Sequence, residues 1–120
     1  MIHEYKKLHV WIDSTELTSL VYKVTANFPK AEQFGITNQI RRCSVSIPSN
    51  IAEGAGRGYD AEFVKFLKYS YGSSCELETQ LIISKDLGYL SEDDFQNLSR
   101  RLIGIQKKLF NLIESLQNDK

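Results

Sequence analysis

Apolar side chains recur along this chain at alternating steps of three and four, and nowhere do they alternate with polar ones long enough to suggest a strand. The clearest run is the last. Phe95, Leu98, Leu102, Ile105, Leu109, Leu112 and Leu116 fill every heptad core position, and their spacing predicts a helix from about 91 to 117. Ser91 suits its N-cap, and Glu92, Asp93 and Asp94 place carboxylates at the positive end of the helix dipole. Gly88 ends the element before it. At 1.5 Å per residue such a helix is about 40 Å long, so it needs partners of similar length to cover its stripe.

Three upstream segments supply them. Val10, Leu17, Val21, Val24 and Phe28 keep the same spacing, with Ser14 as one lapse and Pro29 as the stop. Ile36, Ile40, Cys43, Ile47 and Ile51 mark a second helix to about Arg57, which Thr37 could cap and which Gly54, Gly56 and Gly58 close. Pro48 lies inside that pattern and predicts a kink, with the hydroxyls of Ser44, Ser46 and Ser49 placed to satisfy the freed carbonyls locally. A third helix runs from Asp60 to about Leu87, its core face carrying Phe63, Leu67, Leu77 and Leu81, with Ser70, Ser74 and Ser84 filling the remaining core positions. Small residues there let a neighbouring helix come close. The expected fold is all-α, an antiparallel up-down four-helix bundle occupying residues 1–120 as one domain.

Composition fits one ordinary globular domain. The chain has 120 residues, 42% hydrophobic and 25% charged, which excludes a disordered tail or a collagen-like rod. Fifteen basic and fifteen acidic side chains cancel, so no global field draws the protein to nucleic acid or to an anionic membrane. Cys43 and Cys75 form no metal-type cluster, and the first residues lack the apolar run of a signal peptide or membrane span. A reduced cytoplasmic setting, without a membrane, is expected.

Catalytic signatures are sparse. A di-iron bundle needs Glu-x-x-His pairs, whereas the histidines, His3 and His9, have no glutamate three residues before them. The glycines of residues 53–58 match neither a dinucleotide fingerprint nor a Walker loop. Ser73 and Ser74 follow a glycine without a partner histidine or a strand-turn-helix elbow. The expectation is a non-enzyme with no cofactor and no metal.

Charged and apolar residues outside the core are more informative. Arg41 and Arg42 flank core positions of the second helix, Glu53 and Arg57 are spaced to pair along it, and Glu76 and Glu78 lie about 200° apart around the third. Structural ion pairs among Arg41, Arg42, Glu53, Glu76 and Glu78 are the leading expectation, inside the bundle or across a subunit boundary. The weaker alternative makes Arg41, Arg42, Arg57, Lys65 and Lys68 an anion-binding surface for an RNA or DNA backbone. Ile103 and Phe110 lie about 130° from the centre of the last helix's stripe, on the face that should be wet. With Trp11 and Tyr22 on the first helix, they predict an interface between copies of the chain.

The stretch Gln-Ile-Arg-Arg-Cys-Ser-Val-Ser-Ile-Pro-Ser-Asn-Ile-Ala-Glu-Gly, residues 39–54, resembles the signature of the bacterial four-helix-bundle proteins named after intervening sequences in 23S ribosomal RNA genes. Phe63, Phe66-Leu67, Gly72-Ser73, Glu76-Leu77-Glu78, Gln80-Leu81 and Gly88-Tyr89-Leu90 follow in the family's order. Cys43 stands where the family more often has alanine, and residues 69–71 depart from its usual small-residue run. The resemblance implies a ring of five bundles around a central pore. The family is also similar to the accessory protein of diversity-generating retroelements, a pentamer that binds nucleic acid and a reverse transcriptase. Two functional classes follow: a non-catalytic oligomeric scaffold or RNA-binding module, and a protein-binding adaptor with no nucleic-acid contact.

Overall fold

The computed structural model describes residues 3–118. Four helices account for most of them: α1 (His9–Thr25), α2 (Ile36–Ala55), α3 (Asp60–Asp86) and α4 (Glu92–Asn118). Short 3₁₀ turns at Tyr5–Lys7 and Lys30–Glu32 complete the regular structure, and there is no strand among the described residues. Each helix packs on its neighbours in chain order, α1 also closes against α4, and α1 and α3 lie across the core from one another. The molecule measures 47 × 23 × 20 Å, the shape expected of α3 and α4, each about 40 Å long, with the shorter α1 and α2 beside them.

The core is the one the periodicity marks. Leu17, Val21, Ile40, Ile47, Ile51, Phe63, Leu67, Leu77, Leu81, Leu102 and Leu109 are almost fully buried, and Ser14, Ser70, Ser74 and Ser84 sit among them. On α4 the stripe shifts: Ile113 is buried and Leu112 only partly so. A helix of 3.6 residues per turn drifts against a strict heptad, so the core passes from one position to the next toward the end.

Helix ends follow local chemistry. Ser91 Oγ accepts from the Asp94 N–H at 3.1 Å and caps α4. Gly88, at φ +81°, closes α3: its N–H donates to the Lys85 carbonyl and the Tyr89 N–H to that of Ser84, the paired bonds that a left-handed glycine permits. At α1 the helix stops at Thr25, earlier than Pro29 suggests. Asn27 and Phe28 instead donate to Val24 and Thr25 in a tighter turn, which brings Phe28 into the core, 5.8 Å from the Tyr89 ring.

Two local expectations are corrected at α2. Thr37 does not cap it; its hydroxyl is buried without a partner. The helix starts at Ile36, whose N–H points at the Glu32 carboxylate at 3.4 Å, and that carboxylate also accepts from the Tyr89 hydroxyl at 3.0 Å. An acid at this position suits the helix dipole. Gly54 is not a terminator either. It is buried within the helix, and a Cβ there would lie 2.6 Å from Phe66 Cβ and 3.2 Å from the Phe63 carbonyl oxygen.

Pro48 lies within α2. A residue without an N–H leaves the carbonyl four residues earlier unpaired, and here that is Ser44. The partner is not one of the nearby serines. Thr18 of α1 directs its hydroxyl at Ser44 O, 2.9 Å away, sharing it with Ser14 O at 3.0 Å, while Ser44 Oγ donates to Arg41 O and Ser46 Oγ bonds with Ser73 Oγ. On the other side of α2, Ser70 Oγ donates to Ile47 O at 2.9 Å and Cys43 Sγ to Ser73 O at 3.3 Å. Both faces of the proline segment are thus tied to neighbouring helices by polar contacts.

The close approach at Gly54 is directly testable. Alanine is the better helix former by about 1 kcal/mol, yet Gly54→Ala should destabilise the protein by a net ~1–3 kcal/mol through overpacking against Phe66. Urea unfolding followed by circular dichroism measures the difference.

Candidate functional site

The five basic residues read as an anion surface do not converge. Arg41 lies on α2, and Arg57 lies sixteen residues on, in the turn beyond the helix's other end. Arg41 turns toward the end of α1: its Nε donates to Thr25 Oγ1 at 2.9 Å, Nη2 donates to the Tyr22 carbonyl at 3.3 Å, and the guanidinium lies 4.7 Å from the Tyr22 ring centre. A cation at a helix C-terminus meets its unpaired carbonyls and its negative dipole end. Arg57 pairs with Glu53 at 2.8 Å and lies over Phe66, which Lys65 approaches from 6.0 Å. Lys68 lies elsewhere, beside Tyr71 and Phe110.

The expected pairs between Arg41 or Arg42 and Glu76 or Glu78 are not formed within the chain; among the described residues no ion pair joins them. Arg41 is committed to α1 as above. Glu78 accepts from Gln106 of α4 at 3.4 Å, and Glu76 from Gln80 at 3.5 Å. Arg42 is exposed. Spacing places these side chains on particular helix faces, but Arg41 finds its partners at the end of α1, which periodicity alone does not locate. The basic residues of α4 are similarly dispersed: Lys108 pairs with Asp13 of α1, and Arg100 and Arg101 share a groove with Asp13 and Glu16.

Two surface features remain. The first is a polar cleft of about 390 Å³ between α2 and α3, with Asn38, Gln39, Arg42, Ser46, Ser73 and Glu76 on its walls and Cys43 at its base. Burial, and next the neighbouring Glu76 carboxylate, push the Cys43 thiol up to about 12, which disfavours its thiolate form at neutral pH. The second is a groove along α3 and α4, two adjoining depressions of about 410 and 310 Å³ that share Tyr71 and Phe110. Ile103 and Phe110 are 43% and 55% exposed. The α1 residues expected to join them differ: Trp11 is half-buried against the core with its ring 5.3 Å from Tyr5, and Tyr22 is 43% exposed beneath Arg41.

Among the described residues no three His, Cys, Asp or Glu side chains are grouped to hold a metal, and no helix is long and apolar enough to cross a membrane. Fold and surface together define a small four-helix protein with a polar cleft between α2 and α3 and an apolar groove along α3 and α4. The sequence matches the 23S rRNA-intervening sequence protein family over residues 6–111, and the chain belongs to that family. The fold is also that of a Bacteroides thetaiotaomicron crystal structure, described as a protein with unknown function from the S23 ribosomal protein family. The two are 23% identical with a TM-score of 0.79, over 88% of this chain and 95% of that one. No curated protein matches the sequence.

The arginines should separate by mutation. Arg41→Ala removes two hydrogen bonds and should cost about 1–2 kcal/mol, whereas Arg42→Ala should change stability by less than ~0.5 kcal/mol; thermal unfolding of both distinguishes them. The cysteines should separate by alkylation. Iodoacetamide at mildly alkaline pH should label exposed Cys75 and spare Cys43 until the protein unfolds. Because the folded Cys43 thiol keeps its proton to about 12 while an unfolded one ionises near ~8.5, stability should fall as pH rises between those values. A Cys43→Ala variant should show a flatter alkaline profile.

Proposed function

We propose that the protein is a non-catalytic, self-assembling helical scaffold of the cytoplasm, a homo-oligomer that closes into a ring of five copies. The observation that carries this reading is the α3–α4 groove, where Ile103 and Phe110 hold large apolar surfaces in water beside Tyr71. A small protein gains by covering such a face, and a closed ring covers it in every copy. In this reading the helices run up and down in antiparallel order, with α2 bent at Pro48. The likeness to the accessory protein of diversity-generating retroelements belongs to the same proposal, since a ring would present each of its basic residues five times.

Nucleic-acid contact, in this reading, is weak and directed at the backbone. With zero net charge no overall field assists binding, so each contact made by the arginines and lysines is small, and a ring would add such contacts together. A protein-binding adaptor is the second reading. It is favoured by Phe34, 88% exposed in the connection before α2 and outside the α3–α4 groove.

Native mass spectrometry at micromolar concentration should give a pentamer, and a monomer would refute assembly. The double change Ile103→Glu and Phe110→Glu should disperse the oligomer and leave helical circular dichroism intact. Retardation of a structured RNA should weaken steeply from low to physiological salt, because phosphate contacts release counterions. No retardation at low salt would select the adaptor.

A further inference from the structure

The polar cleft between α2 and α3 carries one cation and one anion on opposite walls. Arg42 comes from α2 and Glu76 from α3, and among the described residues neither takes part in an ion pair.

The hydrogen bonds around the cleft sort its two ends. Asn50 Nδ2 donates to Ser46 Oγ at 2.9 Å, and Ser46 Oγ and Ser73 Oγ lie 2.8 Å apart. Two hydroxyls that bond to each other use one of their two protons, so the pair retains a second proton to donate. That donor and the Arg42 guanidinium form an end suited to an anionic oxygen. On the opposite wall stands the Glu76 carboxylate, which accepts from Gln80 Nε2 at 3.5 Å. An exposed carboxylate there suits a donor of positive charge.

We propose that this cleft binds a small zwitterion, a free amino acid whose carboxylate meets Arg42 and whose ammonium meets Glu76. Its volume of about 390 Å³ lies at the small end of ligand sites, as an amino-acid-sized molecule requires. The bonds from Asn50 to Ser46 and between Ser46 and Ser73 fix the serine hydroxyls before the ligand arrives, and Cys43 is held by its bond to the Ser73 carbonyl. The assignment is independent of assembly through the α3–α4 groove.

The proteinogenic L-amino acids, added singly at millimolar concentration to the full-length protein, are the probes, and amide NMR shifts of the cleft residues are the readout. At least one should give a saturable shift centred on residues 38–46 and 73–80. Its 2-hydroxy-acid analogue and its decarboxylated amine should each bind about tenfold more weakly, the loss expected for one charged hydrogen-bonded group. Arg42→Gln should erase the preference over the decarboxylated amine and Glu76→Gln the preference over the hydroxy acid, with circular dichroism unchanged. The proposal is overturned if no amino acid shifts these residues, if inorganic phosphate binds as tightly as the best of them, or if Glu76→Gln binds it as well as the parent does.

Discussion

How near α2 can come to α3 is the constraint on which the rest of the molecule depends. The approach is set by what is missing: Gly54 has no side chain where Phe66 passes, and Ser70 and Ser74 stand where a bundle would ordinarily place leucines. At that distance side chains of one helix reach the main chain of the other, as Ser70 does at Ile47 and Cys43 at Ser73. Apolar stripes alone specify a face and tolerate sliding; directional bonds fix the register. These bonds tie α3 to α2, and α1 and α4 lay their larger aliphatic residues against the pair.

The same approach shapes the surface. Two helices drawn together over small polar residues leave a polar channel on their outer side, and that channel is the cleft lined by Arg42, Ser46, Ser73 and Glu76. On α3 and α4, where Tyr71 and Phe110 are bulky, the outer groove is apolar instead. One protein thus presents two chemically opposite valleys, each dictated by the side-chain sizes at its base.

Periodicity made most of the fold legible, because a stripe of apolar positions says which face of a helix must be covered. Ser70, Ser74 and Ser84 were readable as core residues for the same reason, as was Ser91 as a cap. What periodicity does not contain is distance between axes. It could not show that Gly54 is a contact, that Thr18 reaches the carbonyl freed at Pro48, or that Arg41 turns back to α1 and away from the glutamates of α3. Of the surface features, the exposure of Ile103 and Phe110 followed from their angle on α4. The cleft did not, since it needs Arg42 and Glu76, thirty-four positions apart, to face one another across a particular gap.

Pro48 acquires a meaning from this that its usual description as a helix breaker misses. An α-helix normally consumes its own acceptors, which is why neighbouring helices in water-soluble bundles seldom bond to each other's main chain. Removing one N–H reserves the Ser44 carbonyl for an outside donor, and Thr18 takes it. The proline therefore works as an address: it marks one level along α2 at which α1 can dock, and a shift of α1 by a single turn would leave that oxygen empty and buried. In a bundle made largely of interchangeable aliphatic contacts, a missing hydrogen keeps the helices from choosing a neighbouring notch.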